Sequence, residues 1–141
     1  MNPLLTEEML HQKTSQELTA LLYEAAINNM EEAIEAIQQK AYMQANIHLQ
    51  KTNDILHRLG AGLNYEAGII ADQLEALYEY MAERIIIANA RKDIAIIEEV
   101  LRMMKEIAQA WQQAMQTKTD KQTAILKQSA RVYEQNSIYE K

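Results

Sequence analysis

Two steps of one form, Glu8-Met-Leu-His11 and Asp54-Ile-Leu-His57, come closest to chemistry in this chain. A carboxylate three positions before a histidine shares its helix face, and four-helix bundles hold iron or manganese pairs with Glu-x-x-His steps projecting inward. On a helix over about 42–63, however, Asp54 falls opposite Leu56 and His57 lies about a quarter turn from Leu56, so both face water. Solvated polar residues at a coincidental spacing are the expected reading, and no metal ligands are assigned. No glycine-rich phosphate loop and no serine, histidine and carboxylate set stands at a working distance. Zero cysteines exclude disulfides, thiolate metal sites and cysteine nucleophiles together. A non-enzyme without catalytic residues or cofactor is therefore expected, with a di-metal carboxylate bundle as the enzymatic alternative and a structural helical adaptor as a third reading.

Composition bounds the partners. The chain has 141 residues, the size of one domain, and carries a net charge of −6. It has no basic cluster, which argues against nucleic acid or an anionic membrane surface. The longest apolar runs, such as Ile85 to Ala88, are far shorter than a membrane span. The first residues, Met1 to Glu8, show neither a basic nor an apolar signal region, so a cytoplasmic location is expected.

Helical periodicity organises nearly everything else, predicting an all-α antiparallel four-helix bundle in one domain over 1–141, with a core over about 14–117 and short extra helical segments at the termini. Asn2 and Pro3 start a short N-terminal helix ending near Lys13, and Thr14-Ser-Gln-Glu17 reads as a capping box. A helix over about 15–40 follows, with Leu18, Leu22, Ala26, Met30, Ala33 and Ile37 as its stripe. The next, over about 42–63, carries Ala45, Leu49, Thr52, Leu56, Leu59 and Leu63, and Gly60, Gly62 and Gly68 mark the turn after it. Over about 67–91, Ile70, Leu74, Leu77, Met81, Ile85 and Ala88 form the core stripe. Arg91 and Lys92 complement its C-terminal dipole, and Asp93 caps a helix over about 94–117 with Ile97, Leu101, Met104, Ala108, Trp111 and Met115 inward. Thr117-Lys-Thr-Asp-Lys121 reads as a loop before a shorter terminal helix over about 123–134.

Apolar surface remains beyond these stripes. Ile69, Tyr80 and Ile87 fall about 100 to 120° from Met81, and Tyr23, Ile27, Met30 and Ile34 widen the arc of the first long helix. A second neighbouring helix, or a second copy in a homodimer, would cover such stripes. The functional alternative is a groove that accepts an amphipathic helix from a partner.

The stretch Leu77-Tyr-Glu-Tyr-Met-Ala-Glu-Arg-Ile-Ile-Ile-Ala-Asn-Ala-Arg-Lys-Asp93, with Ile97-Glu-Glu-Val100 and Ala110-Trp-Gln-Gln-Ala114, resembles the bacterial flagellin export chaperone family, FliS. Glu17-Leu-Thr-Ala-Leu-Leu-Tyr23, Lys51-Thr-Asn-Asp-Ile-Leu56 and Leu63-Asn-Tyr-Glu-Ala-Gly68 extend the match over about residues 14–115. The resemblance implies a helical bundle that is not an enzyme. It implies binding of the disordered C-terminal segment of flagellin, which is kept from polymerising and helped towards the flagellar export apparatus. The groove residues expected for that role are Tyr23, Ile27, Met30, Ile34, Ile69, Tyr80 and Ile87.

Two departures from the family pattern stand out. Glu83 replaces one of two consecutive arginines before Arg84. The Tyr-x-x-Asn-Ser-like segment that usually precedes the first long helix, where the resemblance implies that it covers the empty groove, is absent there. Its counterpart, Tyr133-Glu-Gln-Asn-Ser-Ile138, stands at the C-terminus. A capping segment built on Tyr133, Asn136, Ile138 and Tyr139 is therefore expected, docking back over the groove.

Overall fold

A computed structural model of the protein describes the backbone of residues 7–64 and 68–139, and the side chains of residues 14–64, 68–117 and 124–132. Four helices follow one another: α1 (Glu7–Gln38), α2 (Tyr42–Ala61), α3 (Ile69–Arg91) and α4 (Ile94–Tyr139). Each packs antiparallel to the next, and α4 closes the ring against α1. The expected all-α bundle is what forms.

The turns follow from local chemistry. Lys40 closes α1 in a left-handed conformation (φ 61°), and the Ala41 amide donates to the Ala36 carbonyl at 2.8 Å. Lys92 does the same for α3 (φ 51°), its Nζ donating to the Asn89 carbonyl and Oδ1 at 2.6 Å each. The Asp93 carboxylate then accepts the Ala95 amide at 3.0 Å, the cap expected of it. Gly68, at φ +66°, begins α3 in a conformation that a side chain would strain.

Two expected breaks are absent. α1 runs through the anticipated capping box, so there is no separate N-terminal helix ending near Lys13, and α4 runs through Thr117–Lys121 without a loop. Neither span contains glycine or proline. Scattered Ser and Thr cost only a few tenths of a kcal/mol each, too little to interrupt a ladder of backbone hydrogen bonds. Asn2, Pro3 and Leu5 lie outside the described residues. The backbone of Tyr133, Asn136, Ile138 and Tyr139 belongs to the last turns of α4, while their side chains lie outside the described residues.

One core joins all four helices, from Ala26, Met30, Ala33 and Ile37 across Ala45, Leu49, Leu56 and Leu59 to Met81, Ile85, Ala88, Ile97, Val100 and Met104. Thr52, the buried polar residue of α2, donates to the His48 carbonyl at 2.9 Å. Across the bundle diagonal the buried hydroxyls of Tyr23 and Tyr78 meet at 2.6 Å, tying α1 to α3. Trp111 of α4 packs edge-on to Tyr23 with ring centroids 6.2 Å apart and donates to the Gln16 carbonyl at 3.3 Å.

Burial raises both phenols above their ordinary value near 10, and in Tyr78 the hydrogen bond with Tyr23 adds to the rise. The folded state thus favours the neutral pair. Its contribution is complete below about pH 10 and is lost as pH climbs above that value, where the unfolded chain releases phenolic protons that the folded chain keeps. Tyr23→Phe should cost about 1 to 3 kcal/mol by leaving the Tyr78 hydroxyl buried and alone, and Tyr23→Phe/Tyr78→Phe should cost less than twice that. Urea titrations at pH 7 check this, and the double variant should lose less stability than the parent between pH 9 and pH 11.

Candidate partner-binding surface

The core stripes are not covered along their whole length. Near the α1–α2 and α3–α4 turns they are sealed by Met30, Ile37, Ala88 and Ile97. At the opposite end the same stripes open, leaving Leu18 57% and Ile70 64% exposed, with Leu22, Leu74, Trp111 and Met115 half-buried. Between α3 and α4 the side-chain ties among the described residues come from Tyr80 and Arg84 to Glu99, at 2.8 and 3.3 Å. N-terminal to them, Leu74 and Ile70 face a hollow instead of α4.

That hollow, about 650 Å³, is walled by Leu18, Leu22, Leu59, Leu63, Ile70, Leu74 and Met115, with Tyr23, Tyr78 and Trp111 at its base. A second hollow of about 700 Å³ runs between α1 and α4, lined by Ala20, Ile27, Ala108, Trp111 and Met115 and edged by Glu17, Glu24 and Lys105. Both share Gln16, Tyr23, Trp111 and Met115. They are two faces of one aromatic wall. An apolar trough with a polar rim can take the apolar face of a helix.

The residues expected in the groove divide. Ile27 lines the α1–α4 hollow, and Tyr23 forms the base of both hollows although its ring is buried. Met30 is fully enclosed at 0% exposure in the core, so it cannot meet a partner without opening the bundle. Ile34 and Ile87 are half-buried against the core. Ile69 is exposed at the start of α3, and Tyr80 lies at the α3–α4 seam, donating to Glu99. That hydrogen bond raises the Tyr80 phenol and is the largest cause lowering the Glu99 carboxyl, followed by the charge of Arg84 after desolvation opposes it.

Leu18, Ile70 and Leu77 correct the expectation in the other direction. Their spacing places them in line with the core, but the helix that would cover them is not there, and Leu77 is 38% exposed while Ile87 is the better buried of the two. Periodicity tells which face a residue occupies, not whether a neighbour reaches it. The available signal was the cluster Gly60, Gly62 and Gly68, which marks the end where α2 stops and α3 begins.

Asp54 and His57 face solvent on α2, as their wheel positions require. The side chains of Glu8 and His11 lie outside the described residues. Among the described residues, His48 is the histidine with structural partners: its ring joins Asn29 Oδ1 at 2.9 Å and Glu32 Oε2 at 3.1 Å, clasping α1 to α2. Among the described residues no helix is long and apolar enough to cross a membrane.

The sequence profile of the family described as "Flagellar protein FliS" matches residues 5–118. The flagellar secretion chaperone FliS of Bacillus subtilis is 31% identical over 104 residues, covering 74% of this chain and 77% of its own length. That of Salmonella typhimurium is 35% identical over 99 residues (69% and 73%), and that of Escherichia coli 28% over 111 residues (77% and 82%).

Ile70→Glu should leave the unfolding free energy from urea titration within about 0.5 kcal/mol of the parent, because the new carboxylate stays in water. Met30→Glu should unfold the bundle at room temperature, since an unpaired buried carboxylate costs several kcal/mol of a stability that is itself only about 5 to 15. Circular dichroism during urea titration distinguishes the two.

Proposed function

The chain belongs to the FliS family of flagellar secretion chaperones, and from that premise we propose that its open end shelters the apolar C-terminal segment of flagellin. As its relatives are chaperones, it is a flagellar export chaperone and not an enzyme. Flagellin as cargo, the cytoplasm as the place of binding and delivery to the export apparatus are the further steps of this reading.

The observation that carries it is the uncovered end of the core stripe, where Leu18, Ile70, Leu74, Trp111 and Met115 stand around one trough at the level of the Tyr23–Tyr78 pair. A segment that folds as it binds loses conformational entropy, so it needs broad apolar contact more than a few polar anchors. A helix laid in the trough would complete the four stripes where α3 and α4 leave them open. Ile27 continues the same surface around α1, and Ile69, Leu77 and Tyr80 continue it along α3, giving an extended ligand room to wrap. The adaptable thioether of Met115 and the flat face of Trp111 suit a ligand whose side chains vary.

Trp111 is the single tryptophan of the chain, so its emission reports on the trough without any label. Titration with the C-terminal segment of flagellin from the same organism should shift that emission to the blue and saturate at one segment per chain. Ile70→Glu and Leu18→Glu should weaken binding at least tenfold. Ile86→Glu, at an exposed position on the α2 side of α3, should bind as the parent does. If Ile86→Glu weakens binding as much as Ile70→Glu, or Trp111 emission stays fixed while the segment binds, the trough is not the site.

A further inference from the structure

The face shared by α2 and α3 carries polar groups that neither the core nor the trough uses. Asn46, Gln50 and Asn53 of α2 and Asn89 of α3 line a hollow of about 510 Å³, which Ile86 and Lys92 complete. Asn89 Nδ2 donates to Asn46 Oδ1 at 2.7 Å, and the Lys92 ammonium donates to Asn89 Oδ1 at 2.6 Å, so two of these amides are held in place. Asn53 Oδ1 lies buried in the same wall with no hydrogen-bond partner among the described residues. An unpaired buried acceptor costs stability that an apolar side chain of the same size would not. Towards the other end of this face, a second hollow of about 270 Å³ lies over Gly60 and Ala82 and is edged by His57, Glu75 and Glu79. No atom stands within 4 Å of the place where a side chain on Gly60 would begin.

We propose that this face binds the main chain of an extended, basic segment of a second protein, at a site separate from the trough. A helical partner could not satisfy the amides, because its own N–H and C=O groups are paired with one another, whereas an extended chain presents both. A side-chain amide meets such a chain in both senses: Oδ1 accepts an N–H and Nδ2 donates to a C=O. Asn46 and Asn53 are seven residues apart, about 10 Å along α2, which is the rise of about three extended residues. From Asn89 to Glu75 is 14 residues, about 21 Å along α3, so the whole face spans about six. Charge sets the composition of the segment. Glu75, Glu79 and Glu83 recur every four residues along the second hollow's side of α3, and Glu83 is the residue that departs from the family pattern. Lysine or arginine at that end of the segment meets three carboxylates.

Asn89 follows Tyr80 by nine residues, which points the two in opposite directions from the axis of α3. The amide row therefore faces away from the α3–α4 seam and stays open when the trough is filled. The inference does not rest on what the trough binds. A chaperone with its cargo in place would still present this face to another protein.

The probe is a blocked, fluorescein-labelled peptide of about eight residues, alternating valine and threonine with a lysine at each end. By fluorescence anisotropy it should bind the full chain saturably, and more weakly as salt is raised. The same peptide with N-methylated valines should not bind, since those N–H groups are gone. Gly60→Met, which projects into the second hollow, and Glu83→Arg should each weaken binding about fivefold or more with unchanged circular dichroism. Asn53→Leu should weaken it as much while melting no lower than the parent, which separates a binding role from a structural one. Ile70→Glu should bind the peptide as the parent does. The proposal is overturned if the parent shows no saturable binding, if the N-methylated peptide binds equally, or if Asn53→Leu binds as the parent does. Loss of binding in Ile70→Glu, or displacement of the peptide by the flagellin segment, also overturns it, because both tie the peptide to the trough.

Discussion

The hydrogen bond between Tyr23 and Tyr78 sets the limit between two unlike halves of this protein. It crosses the diagonal of the bundle, joining helices that are not neighbours in the ring, and Trp111 leans on it from the third side. On one side of that tie the stripes of all four helices close over Met30, Met81, Ile85, Ile97 and Met104. On the other side the tie is the base of a trough. Had apolar residues filled that place, no polar contact among the described residues would hold α1 to α3 where packing alone is incomplete. Two phenols that meet each other fix that separation, because parting them in a buried site leaves two unpaired hydroxyls among the described residues.

Such a division suits the proposed function, in which apolar segments are bound by a protein that does not become one of them. The closed half provides the stability. The open half presents the same kind of surface that a core would use, held apart so that it does not collapse on itself. Polar ties at the edges, His48 with Asn29 and Glu32 between α1 and α2, and Glu99 with Tyr80 and Arg84 between α3 and α4, keep the helices in register where the apolar contacts thin out. A partner helix then meets a preformed surface, which lowers the ordering that binding requires of the protein.

Much of this was legible in the residues. The bounds of α2 and α3 fall within two residues of those read from the sequence, because Gly60, Gly62, Gly68 and Asp93 leave little choice about where helices stop and start. The far ends of α1 and α4 were not legible, since a capping-box pattern and a polar run look like boundaries only until the backbone is seen to continue through them. The stripes were assigned to the correct faces over most of their length, but in the first half of α3 the buried positions are Ala71 and Tyr78, next to Ile70 and Leu77. Their exposure was not assigned correctly: Leu18, Ile70 and Leu77 obey the same spacing as Met81 and Ile85, and only the third dimension shows that no helix covers them. Met30 was read both in the core stripe and in the groove, and the bundle encloses it completely, which leaves only the core reading. The methionines divide likewise, with Met30, Met81 and Met104 in the core and Met115 at the trough.

The central claim is that the unsealed end of the core, and not some other face, receives the partner. Amide hydrogen exchange of the free protein and of its complex with the flagellin segment tests this most directly. Residues 15–23, 69–78 and 108–116 should gain protection on binding, while the α2–α3 face around residues 46–53 and 86–92 should exchange as before. Protection concentrated on that second face, with the trough unchanged, would contradict the account.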